Sequence, residues 1–338
     1  MLDFGETTHN TRTKIEKPQG KLMKTSIAEN IQISKDSENL QDYKKHKELA
    51  IKTDLQERFK EKPKKAKRCA ECGETLVFDT YQNTETGETA KKLVFASFCK
   101  NKWCPMCAWR KSRKLITELK SVIDQIEAKQ QVKFIFLTLT IKNPPLTELR
   151  ETIKHMSKAF NKLTKEPEFK KSILGYIRAI EYLGDNTKQG EAHPHFHTIL
   201  VVSKTAYYGG NYIKQSKWVK MWQKSLKADY TPIVDIRKIR AKGKKWREAD
   251  SALFETIKYS VAPLELINLT QENFTELDKQ TAYIRQYNKG GLFKTIKPIP
   301  EAKLDEDLWE LLQTEYYQWL KKEYNLTRTQ KNKKDEIA

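Results

Sequence analysis

No run of apolar residues in this 338-residue chain approaches the roughly 20 that a membrane-spanning helix needs. The first ten residues, Met1 to Asn10, lack the apolar core of a secretory leader, so the chain is expected to stay in the cytoplasm. Cysteine is missing outside one stretch: all five lie between Cys69 and Cys107. An odd, clustered set in such a chain argues against a disulfide framework and for metal binding. Acidic residues are the minority charge, 44 Asp and Glu against 64 Lys and Arg, for a net +20. That excess favours a polyanion, of which nucleic acid is the commonest large one, and a membrane surface is the weaker reading. There is no repeat of helical-solenoid length, and no RNA-recognition aromatic motif falls on the predicted strands, which weakens an RNA-binding module. The length suits two ordinary domains or one domain with additions.

Four segments follow from the pattern. Residues 1–66 are polar and Lys-rich, with five lysines between Lys60 and Lys67, and read as a weakly ordered cationic arm, either a DNA tether or a plain linker. Residues 67–130 hold the cysteines and a connecting helix from about Arg110 to Ala128, with Leu115, Ile116, Leu119, Val122, Ile123 and Ile126 at helical spacing. Residues 131–265 alternate strands and helices. Strands are expected at Val132–Ile141, Leu174–Leu183, His195–Val202 and Pro232–Ile239. Helices are expected at Leu146–Leu163, Lys217–Leu226 and Ala249–Val261, the last stopped by Pro263. The short loop between the second and third strands predicts antiparallel pairing. The fold class is therefore α+β, an antiparallel sheet with packed helices, not a doubly wound parallel fold. Residues 266–338 are expected to be helical, most clearly from Leu304 to Tyr324, where Leu308, Leu311, Leu312, Tyr316, Trp319 and Leu320 fall near one face, before a frayed tail from Arg328.

The segment Glu191-Ala192-His193-Pro194-His195-Phe196-His197-Thr198-Ile199-Leu200-Val201-Val202 carries the most chemistry. Side chains two apart on a strand share a face, so His195 and His197 project together with Phe196 opposite. Two neutral imidazoles that close chelate a divalent cation. Glu181, on the strand expected to pair with this one, is the candidate third ligand. Two His and one carboxylate with open positions suit Mg²⁺ or Mn²⁺ polarising a phosphate. His193 is in line with His195, but Pro194 bends the strand there. It is a ligand, a supporting group or a phosphate contact.

Cys69-Ala70-Glu71-Cys72 and Cys104-Pro105-Met106-Cys107 are two Cys-x-x-Cys knuckles, which together suit a tetrahedral Zn²⁺ site of structural type, with reduced cysteines holding no metal as the other reading. A hairpin through Leu76 to Phe98 is expected to span the gap between them. Cys99 is left over: it replaces one of the four or is a plain buried thiol. Trp103, Trp109, Arg110, Lys111, Arg113 and Lys114 surround the second knuckle, a cluster that suits a DNA grip, with packing an equal reading for both tryptophans.

On the expected helix around Leu253 to Val261, Glu255 and Tyr259 stand at i and i+4 and share a face. A tyrosine attacks a phosphodiester and holds the 5′ end of the cut strand covalently. A neighbouring carboxylate activates water for a second step, and Lys258 steadies the phosphate. Tyr207-Tyr208 and Tyr316-Tyr317 compete as nucleophiles, the first pair reading better as a DNA-stacking loop and the second as packing.

Taken together, these features resemble the HUH endonucleases, and more closely the single-tyrosine rolling-circle replication initiators of Gram-positive plasmids. Phe136-Leu137-Thr138-Leu139-Thr140 resembles the family's first motif, His193-Pro194-His195-Phe196-His197 its histidine motif, and Glu255-Thr256-Ile257-Lys258-Tyr259 its third. The resemblance covers about residues 66 to 265. It implies an RNA-recognition-like antiparallel sheet with helices on one face, and metal and tyrosine on the DNA-binding side. Tyr259 then nicks one strand of the double-strand origin, leaving a 3′ hydroxyl, and Glu255 assists a terminating second cleavage. The implied partners are plasmid origin DNA, a host helicase and a host DNA polymerase, with a homo-oligomer left open and no membrane. Two rivals remain at this point: a conjugative relaxase or transposase of the same chemistry, and a non-catalytic zinc-containing DNA-binding regulator of replication.

Overall fold

β-Branched and aromatic residues dominate Val132–Thr140, and this run becomes a strand of the main sheet, paired on its two sides with His195–Ser203 and Val234–Lys238. In the computed structural model, which describes residues 39–184, 187–239, 257, 263–300, 305 and 307–332, nine strands form two antiparallel sheets. They are β1 (Thr75–Asn83), β2 (Thr89–Ala96), β3 (Val132–Thr140), β4 (Ile173–Glu181), β5 (His195–Ser203), β6 (Val234–Lys238), β7 (Tyr287–Gly291), β8 (Trp309–Leu320) and β9 (Glu323–Lys331). The main sheet has the order β6-β3-β5-β4-β7 and the second β2-β1-β8-β9. Among the described residues, the helices of eight residues or more are α1 (Leu40–Lys52), α2 (Pro63–Ala70), α3 (Pro105–Lys129), α4 (Leu149–Leu163), α5 (Gln215–Leu226) and α6 (Gln271–Gln280). None is long and apolar enough to cross a membrane.

The antiparallel α+β architecture is as the sequence predicts, and so is the pairing of β4 with β5. Ile199 to Val202 are all buried because both faces of β5 are covered there, which produces a continuous apolar run instead of alternation. Phe196, Leu200 and Val202 face α4 and α5; the Phe196 ring meets Phe160 at 6.0 Å and Trp222 at 6.5 Å. The Trp222 indole also donates to the Thr140 carbonyl at 2.7 Å, so this large ring leaves no polar atom unsatisfied. Ile199 and Val201 face the other way, into a second cluster with Phe134, Phe136, Ile177 and the α3 residues Ile116, Leu119, Val122, Ile123 and Ile126. Helices thus lie on both faces of the main sheet, where a single covered face was expected. The α3 stripe is what adds the second layer: its apolar spacing demands a sheet to pack on.

Three expectations change. Residues 39–66, read as part of a weakly ordered arm, hold α1, a short helix Leu55–Arg58 and the start of α2. A few anchors suffice: Tyr43, Leu55 and Phe59 are buried, and the buried Lys47 ammonium donates to the Cys72 carbonyl at 2.7 Å. Pro263 opens a helix, Pro263–Asn268, since a proline at the first helical position costs no hydrogen bond. The helix expected over Ala249–Val261 lies outside the described residues except for Ile257.

The third change is the largest. The helix expected over Leu304–Tyr324 is instead the β8–β9 hairpin, closed at Leu320↔Glu323 by Lys321 and Lys322, both at positive φ (52° and 63°). β8 pairs along its length with β1. Trp309, Thr314, Tyr316, Tyr317 and Trp319 favour a strand when one is offered, and β1 offers it. The sheets also cross the expected segment boundaries: β7 completes the main sheet, and β8 and β9 complete the sheet begun by β1 and β2.

At the β7 edge, Gly291 sits at φ +57°, and a Cβ there would stand 2.3 Å from the Leu174 carbonyl oxygen. A Gly291→Ala substitution is therefore expected to destabilise the protein by about 1–3 kcal/mol, combining backbone strain with a clash against β4. A chemical-denaturation midpoint equal to that of the parent protein would refute this reading of the edge.

Candidate metal centre and active site

The register of three strands builds the first site. Glu181 on β4 and Thr140 on β3 lie directly across from His195, and Ala179 and Thr138 directly across from His197. All of these side chains share the face that carries Phe136, Ile177 and Ile199 one row further along. As β5 leaves the α3 contact, that face changes from aliphatic to imidazole and carboxylate.

Glu181, His195 and His197 converge on one point. The two Nε2 atoms are 3.1 Å apart. Glu181 Oε2 is 3.2 Å from His195 Nε2, and Oε1 is 3.3 Å from His197 Nε2. A cation bound at about 2.1 Å would place its donors roughly 3.0 Å apart at right angles and about 3.4 Å apart at the tetrahedral angle. The three separations fall within that window. The tautomer fits too. His195 Nδ1 lies 2.8 Å from the His193 carbonyl, which only accepts, so Nδ1 carries the proton and Nε2 presents its lone pair. His197 Nδ1 lies 3.2 Å from the Thr138 hydroxyl, and Phe136 stacks on the His197 ring at 5.2 Å, fixing its plane.

His193 stands outside the three-residue group. Its Nδ1 is bonded to Asn143 Oδ1 at 2.7 Å, and burial, then the neighbouring His195, lowers its pKa. Its place among the candidate ligands is therefore replaced by a supporting one: its main-chain carbonyl orients His195. Pro194 accounts for this, since it offsets residue 193 from the regular alternation of β5.

The second centre is made of Cys72, Cys99, Cys104 and Cys107. Sulfur separations are 3.5 Å for Cys72–Cys104 and 3.6 Å for both Cys72–Cys107 and Cys99–Cys107. A tetrahedral Zn–S site with bonds of about 2.3 Å has sulfur edges of roughly 3.8 Å, so the cluster suits that ion. The main-chain N–H groups of Cys99 and Lys100 donate to the sulfurs of Cys72 and Cys107, at 3.4 and 3.3 Å. Hydrogen bonding from the Cys104 thiol is the main cause that lowers the pKa of Cys72, Cys99 and Cys107. The expected set therefore changes by one member: Cys99 takes the place of Cys69. Cys69 lies on the rim, accepting from the Asn101 amide at 3.5 Å. The β1–β2 hairpin returns the chain at Cys99, beside the second knuckle, and that return is what brings the distant sulfur in.

Residues 90–336 match the family described as replication protein. The chain belongs to this replication-protein family. Among curated relatives, a "Protein rep" of Bacillus amyloliquefaciens is 38% identical over 250 residues, covering 69% of this chain and 72% of that protein. A "Protein rep" of Streptococcus pneumoniae serotype 2 is 37% identical over 234 residues, covering 68% and 70%. A shorter match, to a "Replication protein" of Staphylococcus aureus, is 31% identical over 187 residues and covers 54% and 79%. No solved structure matches the chain.

Within this replication-protein fold, Glu255, Lys258 and Tyr259 lie outside the described residues. Ile257, between them, is 2% exposed and packs in the Phe136–Ile199 cluster, on the histidine face of the main sheet. The competing tyrosines are elsewhere. Tyr207 is buried in the cluster on the opposite face and follows the C-terminal end of β5, roughly 25 Å of strand from His195. Tyr317 is buried in the second sheet, where its hydroxyl donates to Glu315 at 2.7 Å.

The basic-aromatic cluster divides. Trp103 is core, its indole donating to Asp278 at 2.8 Å. Trp109 stacks on His46 at 4.3 Å, with the Arg110 and Arg113 guanidinium groups each 5.9 Å from its ring. Lys111 and Lys114 are exposed. Sequence reasoning missed two flanks of the histidine row. Asp235 on β6 lies across from Thr138, in an ion pair with Arg237 at 2.6 Å. Tyr287 on β7 lies across from Ala179, and burial pushes its phenol up to about 12. Strand alternation gives the face of each, but only the sheet order brings them beside the histidines.

Proposed function

We propose that this replication protein initiates rolling-circle replication of a plasmid by nicking one strand of its double-strand origin. What supports this reading is one arrangement. Glu181, His195 and His197 close on a single point, and Ile257, two residues from both Glu255 and Tyr259, is anchored on the same sheet face. A non-catalytic regulator needs no such convergence.

In this reading Glu181, His195 and His197 hold Mg²⁺ or Mn²⁺. When bound, the ion polarises the scissile phosphate and offsets charge developing there. The Tyr259 phenol gives up its proton to solvent as its oxygen forms a bond to phosphorus and the P–O3′ bond breaks. The leaving 3′ oxygen takes a proton and becomes the primer for a host polymerase, behind a host helicase. The 5′ phosphate stays on Tyr259, and the role that falls to Lys258 is to steady that phosphate. At termination Glu255 accepts a proton from water, which attacks in place of a second tyrosine. That carboxylate is what favours replication over conjugative relaxation or transposition. Cys72, Cys99, Cys104 and Cys107 would hold Zn²⁺, which would fix the module that α3 joins to the sheet.

The test is a nicking assay on supercoiled plasmid carrying the protein's own origin, with Mg²⁺ or Mn²⁺. Open circles and a protein–DNA band resistant to denaturant are expected, both lost in Tyr259→Phe. Nicking retained by Tyr259→Phe, or absent from the parent protein, would overturn the proposal.

A further inference from the structure

A cavity of about 300 Å³ opens between the cysteine loop, the first turns of α3 and the β7 edge. Its wall includes Phe98, Lys100, Arg110, Lys111, Gln286 and Tyr287. No carboxylate lines it among the described residues. Phe98 and Tyr287 offer stacking surfaces, and Lys100, Arg110 and Lys111 offer charge to a phosphate, while Lys102, which also lines the cavity, donates to Thr281. The volume admits one nucleotide and excludes a duplex.

Its position ties it to the metal row. Tyr287 lies directly across from Ala179, and Ala179 directly across from His197. The cavity wall is therefore two strands, roughly 10 Å, from the histidines on the same face of the sheet. Ser112 of α3 is hydrogen-bonded to Tyr287, which closes the far side. A strand laid over the metal reaches this cavity within a few nucleotides.

We propose that this cavity is a nucleotide subsite: it takes one unpaired base, with its phosphate, from the single strand that crosses the metal centre. The proposal rests on the nicking reading for the direction of the strand. The zinc-type module then acts as one wall of the DNA site as well as a structural support. A base held there must be unstacked and unpaired, so the subsite selects an extruded or melted segment over duplex.

The experiment uses the full chain carrying Tyr259→Phe, so that no strand is cut, with fluorescently labelled oligo(dT) and a duplex of equal length as probes. Phe98→Leu, which keeps apolar bulk but removes the stacking face, is expected to weaken oligo(dT) binding about tenfold and duplex binding hardly at all. Lys100→Ala with Lys111→Ala is expected to lower the slope of log affinity against log salt by about 0.7 for each phosphate that the pair neutralises. Zinc content and melting midpoint check the fold of each variant. If Phe98→Leu is misfolded, photo-cross-linking of bromodeoxyuridine oligonucleotides to the Tyr259→Phe protein decides, with adducts expected on Phe98 or Tyr287. Unchanged oligo(dT) affinity in folded variants, equal weakening on single strand and duplex, or adducts confined to other regions would overturn the proposal. Binding here needs no cleavage, so failure of the nicking reading and failure of this subsite give separate results.

Discussion

His197→Ala is expected to abolish divalent-cation binding at β5 and to slow strand cleavage by about 10³-fold or more. A metal ion at a phosphate supplies several kcal/mol of charge stabilisation, and each 1.4 kcal/mol is roughly tenfold in rate. His197 is one of three donors whose atoms stand 3.1–3.3 Å apart, so its loss leaves two. His193→Ala is the informative partner. That residue reaches His195 through its main-chain carbonyl, which alanine retains. Its loss is expected to cost no more than about 10–100-fold, the range of outer-shell substitutions. Calorimetric Mn²⁺ titration and single-turnover cleavage of an origin oligonucleotide check both. Cation binding by His197→Ala equal to that of the parent protein would remove the metal centre from the account.

Cys99→Ser is expected to release zinc and lower the melting midpoint by about 10 °C or more, whereas Cys69→Ser keeps zinc. A structural zinc site is worth on the order of 10–16 kcal/mol, comparable with the whole stability of a domain. The four sulfurs lie among buried groups: Cys72, Cys99 and Cys104 are each under 5% exposed, and Met106 and Trp103 pack beside them. Losing the ion there frees both the β1–β2 hairpin and the start of α3. Zinc retained by Cys99→Ser and lost by Cys69→Ser would restore the pairing of two simple knuckles.

The contrast between those two cysteines says what a sequence can carry. Cys-x-x-Cys spacing is local, so the knuckles were legible. The choice of fourth sulfur depends on where a hairpin returns, and that is set by β1–β2 pairing, including a register shift between Val77 and Phe78. The convergence of Glu181, His195 and His197 was legible for the opposite reason. Alternation puts His195 and His197 on one face by local geometry, and a short connection leaves β4 little choice but to pair beside them, bringing Glu181 across. His193 shows the limit: one proline breaks the alternation and moves it out of the group.

The C-terminal hairpin was illegible because its apolar residues fit both periods. Leu308, Leu311, Leu312, Tyr316, Trp319 and Leu320 serve a helix, while Trp309, Leu311, Tyr317 and Trp319 serve a strand that pairs with β1. Lys321-Lys322 carries none of the Asn-Gly chemistry that usually marks a turn with two positive φ angles. The N-terminal helices were missed because α1 buries little but Tyr43 and the stem of Lys47, too few apolar positions to stand out in a Lys-rich background.

Mass spectrometry of a trapped peptide–DNA adduct tests the central claim most directly. The protein is incubated with a single-stranded origin oligonucleotide and Mn²⁺, denatured and digested. The account predicts one adducted peptide, joined to the 5′ phosphate through the phenolic oxygen of Tyr259. An adduct on Tyr207, Tyr208, Tyr316 or Tyr317, or cleaved DNA with no adduct at all, would contradict it.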